Sequence, residues 1–198
     1  YAAEIEAKDA EMKHLIREYH DGLLLFEISN REVWEKGAKD EEGLKNFFKK
    51  NKKKYRWDEP RFKGMVYHVK DAKDVKAVKK SVKGLAFADW NEKLRSTFNG
   101  DSIIRIRVEK GIFKKGDNAL VDSLIFKVNN VEVKKTKDYP IDAVYGKLLK
   151  NPKEMSDVRN QVTADYQAQL EKQWIAELRK KYTVEVYPEI VATVNKEK

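Results

Sequence analysis

Residues 44–69 read LKNFFKKNKKKYRWDEPRFKGMVYHV and contain the part of the sequence that decides the fold. The first half sets seven lysine and arginine side chains among aromatic rings, a composition typical of nucleic-acid grooves. Asp58-Glu59-Pro60 then ends the helical pattern, because proline cannot continue a preceding helix. FKGMVYHV at 62–69 is rich in β-branched and aromatic residues and predicts a strand that ends near His68.

The overall composition excludes several classes of function. The chain has 198 residues, 41% hydrophobic and 38% charged, with a formal net charge of +9. Lysine is mixed with glutamate, which is more typical of a solvated surface than of a phosphate-binding face. The absence of cysteine excludes thiol catalysis, disulfides and most zinc sites. No apolar run approaches the roughly 20 residues that span a bilayer, so we predict no stable membrane insertion.

The segment before this stretch is predicted to be helical. Residues 3–28 carry apolar side chains three, four and seven positions apart, which indicates one helix. The chain opens within this pattern, and we expect it to continue beyond this end, so the absence of a signal peptide says nothing about location. SNRE at 29–32 resembles a capping box and predicts a second helix from about Asn30, ended by Gly37. Asp40 is predicted to cap a third helix.

The segment after this stretch alternates helices and strands. DAKDVKAVKKSVKG and AFADWNEKLRSTFNG predict two helices, and SIIRIRVEKGIF predicts a half-buried antiparallel strand with Ile104, Ile106 and Val108 on one face. Residues 119–126 predict a short helix or turn. One or two further strands are expected before residue 150, with a turn at Asn129-Asn130. A long helix follows, and the tail TVEVYPEIVATV alternates like an edge strand.

These elements predict an α+β fold in which helical segments flank a small antiparallel sheet. We place the boundaries at residues 1–58 for the N-terminal helices, 59–150 for the α+β domain and 151–198 for the C-terminal helix and strand. The last segment is expected to pack back on the N-terminal helices. No internal repeat and no low-complexity segment is present.

Candidate catalytic residues are few. His14 and His20 are six apart on the predicted first helix and point to different faces, so they do not form a metal pair. The sequence contains no GxSxG, HExxH or P-loop pattern, and GIFKKGD at 111–117 lacks the spacing of a phosphate-binding loop. We therefore predict no metal site and no cofactor, and His68 is the remaining catalytic candidate.

The aromatic residues point to peptide binding. The helical segments contain many aromatic residues although their composition is polar, and most of these residues are expected in the core. The rest are predicted to line a cleft that holds apolar peptide segments, with lysines around its rim. The candidates from this pattern are Trp34, Trp57 and Trp174.

The order of segments resembles the parvulin foldases of the SurA, PpiD and PrsA type. DEEGLKNFFKKNKKKYRWDEPRFKGMVYHV is similar to their junction from a short helix into the first strand of a parvulin domain. IFKKGDNALVDSLIFKV and DYPIDAVYGKLL resemble two later parvulin segments. EYHDGLLLFEISNREVWEKG and DYQAQLEKQWIAELRKKY look most like the SurA-like peptidyl-prolyl cis-trans isomerases of Bacteroidetes. The resemblance covers nearly the whole chain and is weakest across the middle.

The resemblance also implies where the site has degenerated. An active parvulin sets two histidines around the substrate prolyl bond, beside an apolar pocket. His68 matches the first histidine, but Pro140 stands where the second is expected, and SIIRIRVEKG replaces the glycine-rich stretch of the family. Phe113, Gly116 and Phe126 match the shape-defining positions. We therefore interpret His68 as a remnant, and Phe113 and Phe126 as peptide-binding residues of a degenerate domain.

Three functions follow as hypotheses. The leading one is a periplasmic folding factor whose partners are unfolded or proline-containing envelope or secreted polypeptides. The first alternative is an active isomerase, in which His68 and Asp142 frame a prolyl-sized pocket with Phe113 and Phe126. The second is a nucleic-acid-binding module that uses the basic stretch 49–56, whereas the leading hypothesis predicts no nucleic-acid partner.

Overall fold

The structure is a computed structural model that describes residues 10–100 and 103–193. The fold is α+β, with helices and one three-stranded antiparallel sheet. The chain forms two compact units. The helical unit takes its residues from Tyr1–Lys52 and Val158–Lys198, and the sheet unit consists of Lys53–Asp157.

The helical unit begins with a long helix that does not stop where the sequence predicted. Helix α1, Ala10–Ser29, continues through a π-helical turn, Asn30–Trp34, into α2, Glu35–Lys39. Ser29 has helical backbone angles and its side chain caps nothing, so the predicted capping box is wrong.

Gly37 does not end its helix either, since α2 runs on to Lys39. A Cβ at Gly37 would lie 2.6 Å from Cγ of Gln167, on the long helix α7, Arg159–Lys181. The glycine therefore serves the close approach of α2 to α7 rather than a helix stop. Gln167 Nε2 also donates a hydrogen bond to the carbonyl of Trp34 at 2.7 Å, which holds α7 against the π-helical turn.

Asp40 begins α3, Glu41–Asn51, as predicted. Its Oδ1 accepts a hydrogen bond from the Gly43 amide at 2.8 Å, and its Oδ2 accepts one from the Tyr166 hydroxyl of α7 at 2.7 Å. These two bonds hold the pKa of Asp40 below its usual value, and the carboxylate raises the pKa of Tyr166 to about 12. One side chain thus caps α3 and fastens it to α7.

The C-terminal tail is not the predicted edge strand. Residues 183–187 have no regular structure, and Pro188 begins the short helix α8, Pro188–Val191. Proline fits the first turn of a helix because the missing N–H has no partner there. Val184, Val186 and Tyr187 are exposed, so the alternation of apolar and polar residues does not reflect a buried face.

The sheet unit contains β1, Arg61–Val69, β2, Ile106–Phe113, and β3, Ile141–Leu149, in the order β2-β1-β3. The strands predicted at 62–69 and within SIIRIRVEKGIF are confirmed. After Asn129-Asn130, one strand, β3, is present among the described residues. Ile104 was expected on the buried face but is 52% exposed, because β2 begins two residues later, where Asn99 Oδ1 accepts from the Ile106 amide.

Helices cover both faces of the sheet. Helices α4, Ala72–Val82, and α5, Trp90–Phe98, are confirmed and pack on the first face, where the core includes Met65, Tyr67, Val69, Val78 and Leu94. Helix α6, Ala119–Val121, and a π-helical turn, Asp122–Phe126, lie over the second face, where the core includes Phe62, Val66, Phe113, Leu120 and Val121.

Three glycines lie side by side across the sheet, with Gly64 of β1 opposite Gly111 of β2 and Gly146 of β3. We call them the glycine row. Phe62 places its ring over this row, since a Cβ at Gly64 would lie 2.5 Å from Phe62 Cζ and one at Gly146 would lie 2.8 Å from it. The missing side chains therefore leave room for an aromatic ring on the second face.

Candidate functional site

The strand register sets one polar row across the second face of the sheet. Arg107 of β2, His68 of β1 and Asp142 of β3 are directly opposite one another. His68 Nδ1 and Asp142 Oδ1 are 2.6 Å apart. Because a carboxylate only accepts, His68 carries its proton on Nδ1 in this hydrogen bond. The side chains of His68 and Asp142 are 27% and 10% exposed, so the pair is reached from solvent through the imidazole.

A tyrosine surrounded by cations lies beside the polar row. Tyr139, just before β3, is buried, and its hydroxyl donates to the carbonyl of Ile104 at 3.1 Å. The guanidinium of Arg107 lies 4.8 Å from the centre of its ring, and the ammonium of Lys70 lies 5.2 Å from it. These cation–π contacts hold Lys70 and Arg107, the residue opposite His68, against the ring of Tyr139.

The apolar side chains of the second face form one buried cluster. Phe113 is 5% exposed and stacks on Phe62 at 6.3 Å between ring centres. Phe126, in the π-helical turn, is half-buried and packs at the margin of the same cluster. Both predicted peptide-binding residues therefore lie on the same face as His68, Phe113 in the interior and Phe126 at the edge.

The predicted second position of the site lies elsewhere. Pro140 is exposed and precedes β3, and the residue opposite His68 is Asp142. The other two histidines in the chain, His14 and His20, belong to α1 in the helical unit. The sheet unit thus provides one imidazole, whose Nδ1 has a carboxylate partner and whose Nε2 forms no hydrogen bond within the described residues. Such a pair orients the imidazole but contains no second imidazole.

The three tryptophans predicted to bind peptide are in different surroundings. Trp34 is 43% exposed and meets Phe26 edge-on at 5.5 Å. Trp57 is half-buried below the guanidinium of Arg61, which lies 5.0 Å from its ring. Trp174 is half-buried on α7. Trp34 and Trp174 are in the helical unit, whereas Trp57 is in the sheet unit.

Helix α1 carries a group of strongly exposed apolar side chains, which sequence reasoning did not single out as a site. Six of them are 51–70% exposed, and together we call them the apolar α1 surface: Leu15, Tyr19, Leu23, Leu24, Leu25 and Phe26. The signal in the sequence is the unbroken run LLLF at 23–26. Consecutive apolar residues surround a helix, so a single neighbouring helix cannot cover them all.

The basic stretch at 49–56 does not combine its charges with accessible rings. Lys49, Lys50, Lys52, Lys53, Lys54 and Arg56 are exposed, whereas Phe48 and Tyr55 are each 4% exposed. Stacking on bases requires an open ring face. The lysines therefore form a solvated face beside a buried aromatic face.

Within the described residues, no group of histidine and acidic side chains is arranged to hold a metal ion, and no helix there has the length and apolar character needed to cross a bilayer. Comparison with protein-family models, with curated proteins and with solved structures finds no match to this chain.

Proposed function

We propose that the protein is a parvulin-type folding factor of the periplasm that holds unfolded envelope or secreted polypeptides. The apolar α1 surface carries this proposal. Six large side chains, each more than half exposed on one helix, form a surface of the kind that marks interaction sites in soluble proteins. Binding through such a surface depends on apolar contact and tolerates many client sequences.

We further propose that the sheet unit is a degenerate parvulin-like domain without isomerase activity. Its order of strand, two helices, strand, short helix and strand is the order that the resemblance implies, with a histidine near the end of β1. Two features support loss of activity. His68 is paired with Asp142 instead of a second histidine, and Phe113 is packed into the core instead of lining an open pocket.

A holdase assay tests the main proposal. The triple variant Leu15→Gln, Leu23→Gln, Leu25→Gln removes apolar surface while keeping good helix formers, and these side chains are exposed, so the fold should persist. We expect this variant to lose most of its suppression of aggregation of a heat-denatured test enzyme, measured by light scattering. Lys13→Gln with Glu18→Gln, at exposed polar positions of the same helix, is the control. Equal suppression by both variants contradicts the proposal.

The alternative of an active isomerase is favoured by one observation, the 2.6 Å hydrogen bond that orients His68 beside an apolar cluster. A protease-coupled assay with a proline-containing peptide separates the two functions. We expect no isomerisation above the uncatalysed rate for the wild type and for His68→Ala alike. A catalysed rate that disappears in His68→Ala would instead establish an active site.

Salt dependence separates a polypeptide holdase from the nucleic-acid alternative. If the basic stretch 49–56 binds nucleic acid, the binding constant should fall as the salt concentration rises. In a plot of the logarithm of the binding constant against the logarithm of salt concentration, the slope should be about −1 for each phosphate contact. Binding of an unfolded polypeptide through the apolar α1 surface should change little over the same range. Steeply salt-dependent retention of a single-stranded oligonucleotide in a gel-shift assay would favour the nucleic-acid alternative.

A further inference from the structure

The first face of the sheet unit contains a groove that the proposed function does not use. It has a volume of about 390 Å³, within the range of ligand-binding pockets, and lies where β3 meets the loop between α4 and α5. Three aromatic rings form its wall. Phe87 meets Trp90 edge-on at 5.0 Å between ring centres, and Trp90 lies 5.5 Å from Tyr145. Leu85 and Leu149 complete the apolar lining.

Hydrogen bonds and a cation–π contact hold two of these rings in place. Trp90 Nε1 donates to the carbonyl of Leu85 at 3.3 Å. Lys110 Nζ donates to the carbonyl of Phe87 at 2.7 Å and lies 4.7 Å from the centre of its ring. A ligand therefore finds a preorganised wall and does not have to order it, which favours affinity.

The charges around the groove are unbalanced. Lys63 forms ion pairs with both Glu154 and Asp157, so one cation faces two carboxylates. Lys147 and Lys153 also line the groove and are exposed, and within the described residues their side chains form no ion pair. The rim therefore has three lysines against two carboxylates, and the two lysines without an ion pair complement an acidic ligand.

The adjacent strand offers hydrogen bonds to a backbone. In the order β2-β1-β3, strand β3 is at the edge of the sheet, and no strand of the described residues pairs with its outer side. Tyr145, Lys147 and Leu149 are alternate residues of β3 and point to the face that holds the groove. A strand added to this edge would place its own alternate side chains beside them.

We propose that this groove, with the outer edge of β3, binds an extended polypeptide segment that carries an acidic residue between two apolar residues at alternate positions. The acidic side chain lies beside Lys147, and the apolar side chains lie beside Tyr145 and Leu149. An exposed lysine at a sheet edge discourages pairing with basic strands, including a second copy of β3, and favours an acidic one. The groove is in the sheet unit and does not depend on the apolar α1 surface.

A charge-swap experiment on the full chain tests the proposal. The probes are two fluorescein-labelled peptides, TFTETVT and TFTKTVT, whose binding is followed by fluorescence anisotropy. We expect the wild type to prefer TFTETVT, and Lys147→Glu to weaken its binding about fivefold to tenfold, the effect of turning one exposed attraction into a repulsion. Lys147→Glu should also gain binding of TFTKTVT. Lys134→Glu, at an exposed position outside the groove, is the matched control.

Two further measurements decide the proposal. Leu85→Ala, which shortens a 42% exposed side chain of the lining, should weaken binding of TFTETVT. The peptide has two sets of alternate amides, and N-methylation of one set should abolish binding whereas N-methylation of the other should not. The first set is the one that donates hydrogen bonds to the edge of β3. Any of three outcomes would overturn the proposal. Lys147→Glu and Lys134→Glu weaken binding equally, N-methylation of neither set of amides affects binding, or equimolar single-stranded DNA displaces the peptide.

The same assay separates this proposal from the proposed function. The α1 triple variant should bind TFTETVT as the wild type does while losing its holdase activity. Loss of peptide binding in that variant would overturn the assignment to the groove, whereas loss of holdase activity alone concerns only α1.

Discussion

Gly64→Ala adds one methyl group at the centre of the glycine row and should destabilise the sheet unit. The new Cβ would lie 2.5 Å from the carbonyl oxygen of Tyr145, 2.5 Å from Phe62 Cζ and 2.8 Å from Gly146 Cα. Two of these atoms belong to the backbone of β3. They cannot move aside unless β3 moves away from β1, and the ring of Phe62 is held in the core of the second face.

The expected loss follows from two opposing terms. Overpacking a close contact costs about 1–3 kcal/mol. Replacing glycine by alanine also restricts the unfolded chain, which returns about 0.4–1 kcal/mol. The net decrease in the free energy of unfolding is therefore about 1–2 kcal/mol. For a chain of this length each kcal/mol lowers Tm by about 2–4 °C. Urea unfolding followed by circular dichroism measures the change.

Gly111→Ala provides the matched control within the same row. Its Cβ would lie 3.4 Å from Phe113 Cζ, an ordinary van der Waals contact, and no backbone atom is closer. We expect this variant to be neutral or slightly more stable than the wild type. If Gly64→Ala and Gly111→Ala have the same urea midpoint, the idea that Gly64 serves the close approach of β1 and β3 is refuted.

Three further predictions concern polar contacts. Tyr166→Phe should lower the free energy of unfolding by about 1 kcal/mol, because Asp40 loses a hydrogen bond. Because the pKa of Asp40 is lowered in the folded protein, its ionised carboxylate contributes fully to the free energy of unfolding above about pH 4. This contribution is lost as the pH falls through the lowered pKa, so Asp40→Asn should flatten the acid side of a curve of stability against pH. Lys63→Met should cost about 3 kcal/mol in urea unfolding, because the side chain of Asp157 is fully buried and loses its cation, whereas Lys147→Met should cost less than about 0.5 kcal/mol.

Elements with strong local signals could be predicted from the sequence. Helix α4 begins where Asp71 accepts a hydrogen bond from the Lys73 amide and ends before Gly84, which has φ +85°. Its buried valines follow helical spacing, and β1 combines β-branched and aromatic residues in a short run. Each of these signals lies within the element itself, so no distant contact is needed to place it.

Elements decided by distant contacts could not be predicted. SNRE at 29–32 has the residues of a capping box, and Gly37 has the composition of a helix stop. The chain nevertheless stays helical through both, since the turn at Asn30–Trp34 and α2 pack against α7. Gln167 is 130 positions from Gly37 in sequence, and no local pattern announces their contact. The prediction of an edge strand in the C-terminal tail was wrong for the opposite reason. Its residues alternate as in a strand, but they pair with no strand among the described residues.

The candidate site was predicted in part. The position of His68 on β1 follows from the sequence of that strand alone. Its partner depends on the register between β1 and β3, and our leading interpretation placed the second position at Pro140, two residues before the one that faces His68. A register is a property of a pair of strands, so it requires a signal that both strands share.

Such a signal is present, and it joins the glycine row to the polar pair. The segments GMVYH at 64–68 and DAVYG at 142–146 have mirrored spacing, with glycine and a polar residue four positions apart. Antiparallel pairing that sets Gly64 opposite Gly146 necessarily sets His68 opposite Asp142. A slip of one residue would turn the apolar side chains of β3 away from their cores, and a slip of two would bring a side chain against Gly64. The close approach of the glycines and the hydrogen bond of His68 therefore stabilise one and the same register.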